Sequence, residues 1–315
     1  MSWTEADIPD QSGRVAVVTG ANGGLGLETA RALARKGAHV VMAARNQDKA
    51  SAALADVRAG IPDASLELRR LDLGSLSSIR SFAEHLVRDR PQIDLLINNA
   101  GLMGIPEGRT EDGFETQLGV NHLGPFALTA LLLPSLLKAD PSRIVNVTST
   151  ARHMGRRLDP GNPHLHGAYN PWRAYGQSKL ANVHFTLGLQ QRLEAAGAAA
   201  VSLVAHPGLA NTDLQANSVR ETGGGASQRF WHWLAGRTGM TPAHGALPQL
   251  RASTDLRARG GQLYAPRFVN FGPPVRRPLF VGRSTRRAIE TLWAVSERET
   301  GISFDVASTL SKVRA

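Results

Sequence analysis

Tyr175 and Lys179 stand four residues apart at the start of a helical pattern, so they share one face and the lysine can press its charge on the phenol. A free tyrosine, with a pKa of about 10, is a poor base at neutral pH, and a neighbouring cation favours its phenolate. The pair suits proton transfer to or from an oxygen. By itself it is weak, because the same spacing in many helices means only a tyrosine packed over a solvated lysine. The chain has no cysteine, so any redox chemistry must come from a bound organic cofactor.

A place for such a cofactor stands near the amino end. Residues 15–18 form a β-branched run that ends in Thr19-Gly20-Ala21-Asn22-Gly23-Gly24-Leu25-Gly26, and a helical pattern follows over 25–36. Glycines let backbone approach a pyrophosphate closely, and amides at a helix start favour negative charge. Strand, glycine turn and helix come in the order a dinucleotide needs. The second run ends Met42-Ala43-Ala44-Arg45-Asn46. It carries no carboxylate to hold ribose hydroxyls, and Arg45 is placed to meet a 2′-phosphate, so NADP(H) is expected in preference to NAD(H).

The elements that must position these groups alternate along the chain. Short apolar runs at 15–18, 40–42, 66–71, 95–97, 144–147 and 201–204 suit strands covered on both faces, and 25–36, 76–87, 118–137 and 178–196 have helical periodicity. Gly37 and Pro91 sit where helices should stop. The expected fold is a single α/β domain: a doubly wound, mostly parallel Rossmann-type sheet in three layers, with a late strand at 262–265 closing its far edge. Residues 12–150 form mainly the cofactor half, and 151–315 carry the catalytic pair and substrate lid. Two stretches break the rhythm, 152–173 and 209–247, and read as loops or small elements over the active-site edge. The second holds Phe230, Trp231, Trp233 and Leu234, read as helix packing, as a lid over a bulky apolar substrate or as a membrane-seeking amphipathic patch.

The turn T-G-x-x-x-G-x-G is similar to the fingerprint of the short-chain dehydrogenase/reductase family. Asn98-Asn99-Ala100-Gly101 resembles that family's Asn-Asn-Ala-Gly signature, Asp72 and Leu73 its adenine contact, and His206-Pro207-Gly208 with Thr212 its carboxamide contact. Asn121, Ser149, Tyr175 and Lys179 match its tetrad in order. The resemblance spans roughly residues 12–305 and implies alcohol/carbonyl interconversion. By it, Ser149 orients the substrate oxygen, Tyr175 gives or takes the proton, Lys179 holds the nicotinamide ribose and tunes Tyr175, and Asn121 anchors a relay water. It also implies cofactor contacts from Gly20, Asn22, Gly23, Gly24, Leu25, Gly26, Arg45, Asp72, Leu73, Asn99, Ala100, Gly101, Tyr175, Lys179, Pro207, Gly208 and Thr212. The wide interval between Ser149 and Tyr175, with His122, His206 and the carboxyl-terminal Leu292-Trp293, resembles the retinol-dehydrogenase-like branch.

Composition fits this picture. The chain has 315 residues, 42% hydrophobic and 20% charged, with a formal charge of +10. Much of the excess lies in residues 251–315, which hold 12 Lys/Arg against 5 Asp/Glu. Arg276, Arg277, Arg283, Arg286 and Arg287 lack interleaved aromatic platforms and read as a solvated basic face, so no nucleic-acid partner is expected. Weak attraction to acidic membrane surfaces and self-association stay open. The polar start lacks a signal-peptide pattern and no stretch of about 18 apolar residues is evident, so a cytoplasmic enzyme is expected. His153, His164 and His166 lie in a polar loop without a placed carboxylate or thiolate, and are read as solvent-facing, with no metal. The rival reading is a catalytically silent NADP-binding sensor or interaction protein, which the intact tetrad argues against.

Overall fold

A computed structural model describes residues 2–210 and 240–315. Phe230, Trp231, Trp233 and Leu234, and with them the expected lid, lie outside the described residues, as does Thr212. Strands β1 (Val15–Thr19), β2 (His39–Ala44), β3 (Leu66–Arg70), β4 (Leu95–Asn98), β5 (Arg143–Val147), β6 (Val201–Ala205), β7 (Leu263–Pro266) and β8 (Pro274–Arg277) build one sheet. Its order is β3-β2-β1-β4-β5-β6-β7-β8. The first seven strands pair in parallel and β8 runs antiparallel to β7.

Each apolar run is covered on both faces because its residues alternate between two cores. Val17, Val41, Leu96 and Ile144 face one layer, while Val18, Met42, Ile97 and Val145 face the other. The second layer holds α1 (Gly24–Arg35), α2 (Gln47–Gly60) and α6 (Pro242–Thr254). The first holds α3 (Leu76–Asp89), α4 (Thr116–Lys138), α5 (Pro171–Ala195), α7 (Arg283–Thr300) and α8 (Val306–Arg314). A chain with this sheet is the expected Rossmann-type α/β fold.

Three expectations needed correction. The strand near 262–265 exists as β7, but it does not close the sheet: β8 lies outside it. Pro274 and the following Pro278 hide β8 in the sequence, yet a proline is tolerated on an edge strand, where an N–H can be spared. The helix carrying Tyr175 starts at Pro171 instead of Ser178, since Asn170 accepts the N–H groups of Trp172 and Arg173 and a proline stands at the first position. Finally, α4 is long and apolar enough to cross a membrane, with mean hydropathy 1.4, but its apolar window is 72% buried inside the protein, as a core helix is.

Helix α4 is not uniform. The buried Glu115 carboxylate caps it by accepting the N–H groups of Gln117 and Leu118 at 2.8 and 2.6 Å. Residues Gly119–Leu123 then make a π-helical turn. Such turns place one residue outside the regular α repeat and recur at functional sites. Here the displaced stretch carries Asn121.

Candidate active site

A cavity of about 900 Å³ opens beyond the carboxyl ends of β1, β4, β5 and β6, beside the point where strand order reverses between β1 and β4. Gly20, Asn22, Gly23, Gly24 and Leu25 form one wall. Gly20 and Gly24 have φ of +68° and +51°, a region that glycine occupies without steric cost. A methyl group on Gly26 would lie 2.2 Å from the Gly20 carbonyl oxygen and 2.6 Å from Asn99 Nδ2, so only glycine lets α1 begin this close to the turn. Thr19 ties the turn to the end of β4: its Oγ1 accepts the N–H groups of Asn99 and Ala100, each at 3.0 Å, and its carbonyl accepts Asn99 Nδ2 at 2.9 Å. This floor of bare backbone, with the amino end of α1 facing the cavity, fits a dinucleotide pyrophosphate.

At the outer end of the cavity stand Arg45 and, unanticipated from the sequence, Lys49. Both are exposed. Lys49 is brought there because Asn46 caps α2, accepting the Lys49 N–H at 2.9 Å, and so turns the first helical turn toward the mouth. Asp72 and Leu73 line the adjoining wall, with Asp72 Oδ1 held by the Gly74 N–H at 2.9 Å. Ala100, Gly101, Pro207 and Gly208 line the inner part. At Gly208, φ is +75° and a side chain would strike the Asn270 carbonyl oxygen at 2.6 Å.

The inner end brings Ser149, Tyr175 and Lys179 to one wall, beside Trp172 and Met154. Burial pushes the Tyr175 phenol up to about 12, with its hydrogen bond to Ser149 acting the other way, and burial pushes Lys179 down to about 8. The direction at Tyr175 is opposite to the one its spacing from Lys179 suggests. Nζ lies 5.7 Å from the ring centroid, and loss of hydration on burial decides the direction. Lys179 Nζ donates to the Val147 carbonyl at 3.3 Å. The Asn121 side chain is held on three sides: Nδ2 donates to the Leu102 carbonyl at 2.9 Å and to Ser178 Oγ at 2.8 Å, while Oδ1 accepts the Leu102 N–H at 2.7 Å. It clamps the backbone just past Gly101. A side chain at Gly101 would come within 2.9 Å of Asn121 Oδ1 and 3.1 Å of Lys179 Nζ, so that glycine lets both groups close on the cavity.

A family model described as short chain dehydrogenase matches residues 14–223. The chain belongs to this family. It is 45% identical over 212 residues to human retinol dehydrogenase 13, which covers 67% of this chain and 62% of that protein. It is 41% identical over 263 residues to mouse polyprenol dehydrogenase, covering 81% and 76%. The crystal structure of an uncharacterized protein from Mycobacterium paratuberculosis superposes with a TM-score of 0.76 at 40% identity, covering 96% of this chain and 99% of that one. The chain thus stands in the retinol-dehydrogenase-like branch of that family, and the matched stretch spans less than two thirds of the length of human retinol dehydrogenase 13.

Around this site lie supports that the sequence did not announce. Ser178 accepts from Asn121 and itself donates to the Tyr175 carbonyl at 2.8 Å, linking two tetrad members through one hydroxyl. The long loop between Ser149 and Tyr175 is pinned by a histidine expected to face solvent. His164 is buried at 8% exposure; its Nδ1 accepts the Glu115 N–H at 3.2 Å, and Nε2 lies 3.0 Å from Glu299 of α7. Since Nδ1 accepts, the proton sits on Nε2. His166 pairs instead with Arg109 at 2.9 Å. The loop histidines therefore diverge to separate partners. His122, next to Asn121, meets Ser296 of α7 at 2.8 Å, so α7 braces the π turn from behind.

Proposed function

We propose that this protein is an NADP(H)-dependent oxidoreductase that interconverts a bulky apolar alcohol and its aldehyde or ketone. The observation that carries the reading is one continuous cavity leading from an exposed pair of cations, Arg45 and Lys49, to the buried phenol of Tyr175. Two cations and no carboxylate at the end of β2 favour a phosphorylated ribose. Leu102, Met103, Met154, Trp172 and Leu209 make the inner walls apolar. The names of the relatives, retinol and polyprenol dehydrogenases, point the same way.

The turn from Gly20 to Gly26 would hold the pyrophosphate, Arg45 and Lys49 the 2′-phosphate, Asp72 the adenine end, and Lys179 the nicotinamide ribose. When bound, the nicotinamide supplies or takes up the hydride. Tyr175, protonated throughout the neutral range, donates its phenolic proton to the carbonyl oxygen as that oxygen becomes an alcohol. The hydroxyl of Ser149 gives the same oxygen a second hydrogen bond and holds it against Tyr175. Lys179, charged below about pH 8, offsets the negative charge left on the phenolate. Trp172 meets the Tyr175 ring edge-on at 6.2 Å and keeps water from that face. In the oxidation direction the proton moves back to Tyr175.

The test is a panel of short and long aldehydes and ketones, each assayed with NADPH and with NADH. The reading expects kcat/KM to rise with apolar length and NADPH to be preferred. Equal use of the two cofactors would remove the assignment of Arg45. Cofactor binding without turnover on any member would instead favour a binding protein.

A further inference from the structure

Residues 256–289 contain eight arginines and no aspartate or glutamate. They include the β7–β8 hairpin, which forms the outer edge of the sheet, and the first turns of α7. Arg267, Arg276, Arg283, Arg286 and Arg287 are all exposed, and among the described residues none of them forms an ion pair. Large apolar side chains stand among them: Phe280 is 89% exposed, Phe268 59% and Phe271 54%.

The turn of the hairpin is built to present them. The Phe268 N–H donates to the Phe271 carbonyl at 3.0 Å and the Arg267 N–H to the Pro273 carbonyl at 2.9 Å. Val269 at its tip holds φ +70°, an uncommon state for a β-branched residue. The Phe268 and Phe271 rings lie 5.3 Å apart. A charged edge strand by itself is ordinary protection against strand pairing. That purpose accounts for Arg276 and leaves the exposed phenylalanines unexplained.

We propose that this edge is a docking surface for an anionic phospholipid bilayer, with Phe268, Val269 and Phe271 entering the headgroup region and the arginines pairing with lipid phosphates. Exposed aromatics beside unpaired arginines are what such an interface recognises, and an acid-free run of this length removes repulsion from the anionic surface. A duplex nucleic acid would use the charge but not the apolar side chains. Asn270, between the two phenylalanines, lines the cavity, so docking sets the cavity mouth against the bilayer. A lipid-dissolved alcohol would then enter without crossing water. That route rests on the apolar-substrate reading; the docking does not.

The experiment is co-sedimentation of the full chain with vesicles of phosphatidylcholine alone and with about a quarter phosphatidylglycerol, at roughly 0.1 M and 0.5 M salt. Binding is expected only to the anionic vesicles and is expected to weaken at the higher salt. Each arginine near such a surface changes affinity about fivefold, so Arg276→Gln with Arg286→Gln and Arg287→Gln should weaken it roughly a hundredfold. Phe268→Ser with Phe271→Ser should weaken it as well. Both variants should keep wild-type turnover on a water-soluble carbonyl, which shows that they fold. The proposal is overturned if anionic vesicles bring down no protein, or if both variants bind as wild type. It is equally overturned if duplex DNA is bound more tightly than the vesicles, or if Phe268→Ser with Phe271→Ser only splits a dimer and leaves lipid binding intact.

Discussion

Acidification from pH 7 to pH 5 should remove a large part of this protein's stability. His122, His184 and His206 are inside the fold, and burial pushes them down to about 3, 4 and 3 respectively. In the unfolded chain each returns to about 6.5. Between the two values the unfolded state binds protons that the folded state refuses, so stability is complete above about pH 6.5 and falls as pH drops toward the folded values. Over the interval from 7 to 5 each ring costs about 2 kcal/mol, or on the order of 6 kcal/mol for the three. That is comparable with the whole stability of many domains, about 5–15 kcal/mol. Glu115 opposes part of the loss: burial raises its carboxyl, so protonating it favours the fold. Urea unfolding followed by tryptophan fluorescence at the two pH values measures the effect, with Trp293 reporting from the core. His122→Phe should shed about a third of the pH-dependent loss, because the ring sits against Phe126 and Phe185 and a phenyl group fits there without a proton to bind. Equal unfolding free energies at pH 7 and pH 5 would refute the reasoning.

Further outcomes follow from the site. Gly26→Ala should weaken NADPH binding at least tenfold, because its methyl would sit 2.2 Å from a backbone oxygen that cannot move aside; an unchanged dissociation constant in a fluorescence titration would contradict this. Arg45→Gln with Lys49→Gln should cost roughly 10- to 100-fold in NADPH affinity and leave NADH affinity nearly unchanged, the scale of losing charge-assisted hydrogen bonds. Carbonyl reduction should hold steady at neutral pH and decline above about pH 8, where Lys179 loses its charge; a pH–rate profile flat to pH 10 would remove Lys179 from the account.

Much of the fold was legible because both faces of the sheet are covered. Runs such as residues 15–18 and 144–147 have no polar alternation and nothing else to be. Element ends were less legible: α5 begins at an Asn-Pro pair whose cap outweighs the missing apolar period. The first part of helix α6 lay in the stretch 209–247 read as loops or small elements, where Gly245 interrupts its pattern. The glycine is there because a side chain would meet Ala210 and Leu25, each at 2.7 Å. Tyr175, Lys179 and the glycine turn declared themselves through spacing along one chain segment. Lys49, Ser178 and the Glu115–His164–Glu299 clamp did not, because their partners lie in other segments and no local pattern carries a long-range hydrogen bond. The depressed lysine and raised phenol were likewise unreadable, being consequences of burial and not of spacing.

The central claim is that the Tyr175 hydroxyl moves the proton while the rest of the cavity only binds and orients. Turnover of NADPH with a long-chain aldehyde, measured for the wild type and for Tyr175→Phe alongside the NADPH dissociation constant of each, tests it most directly. The phenyl ring keeps the packing against Trp172 and removes one oxygen. The account predicts a fall in kcat of about 10²–10⁴-fold with NADPH affinity essentially unchanged. A variant that turned over at close to the wild-type rate would contradict it.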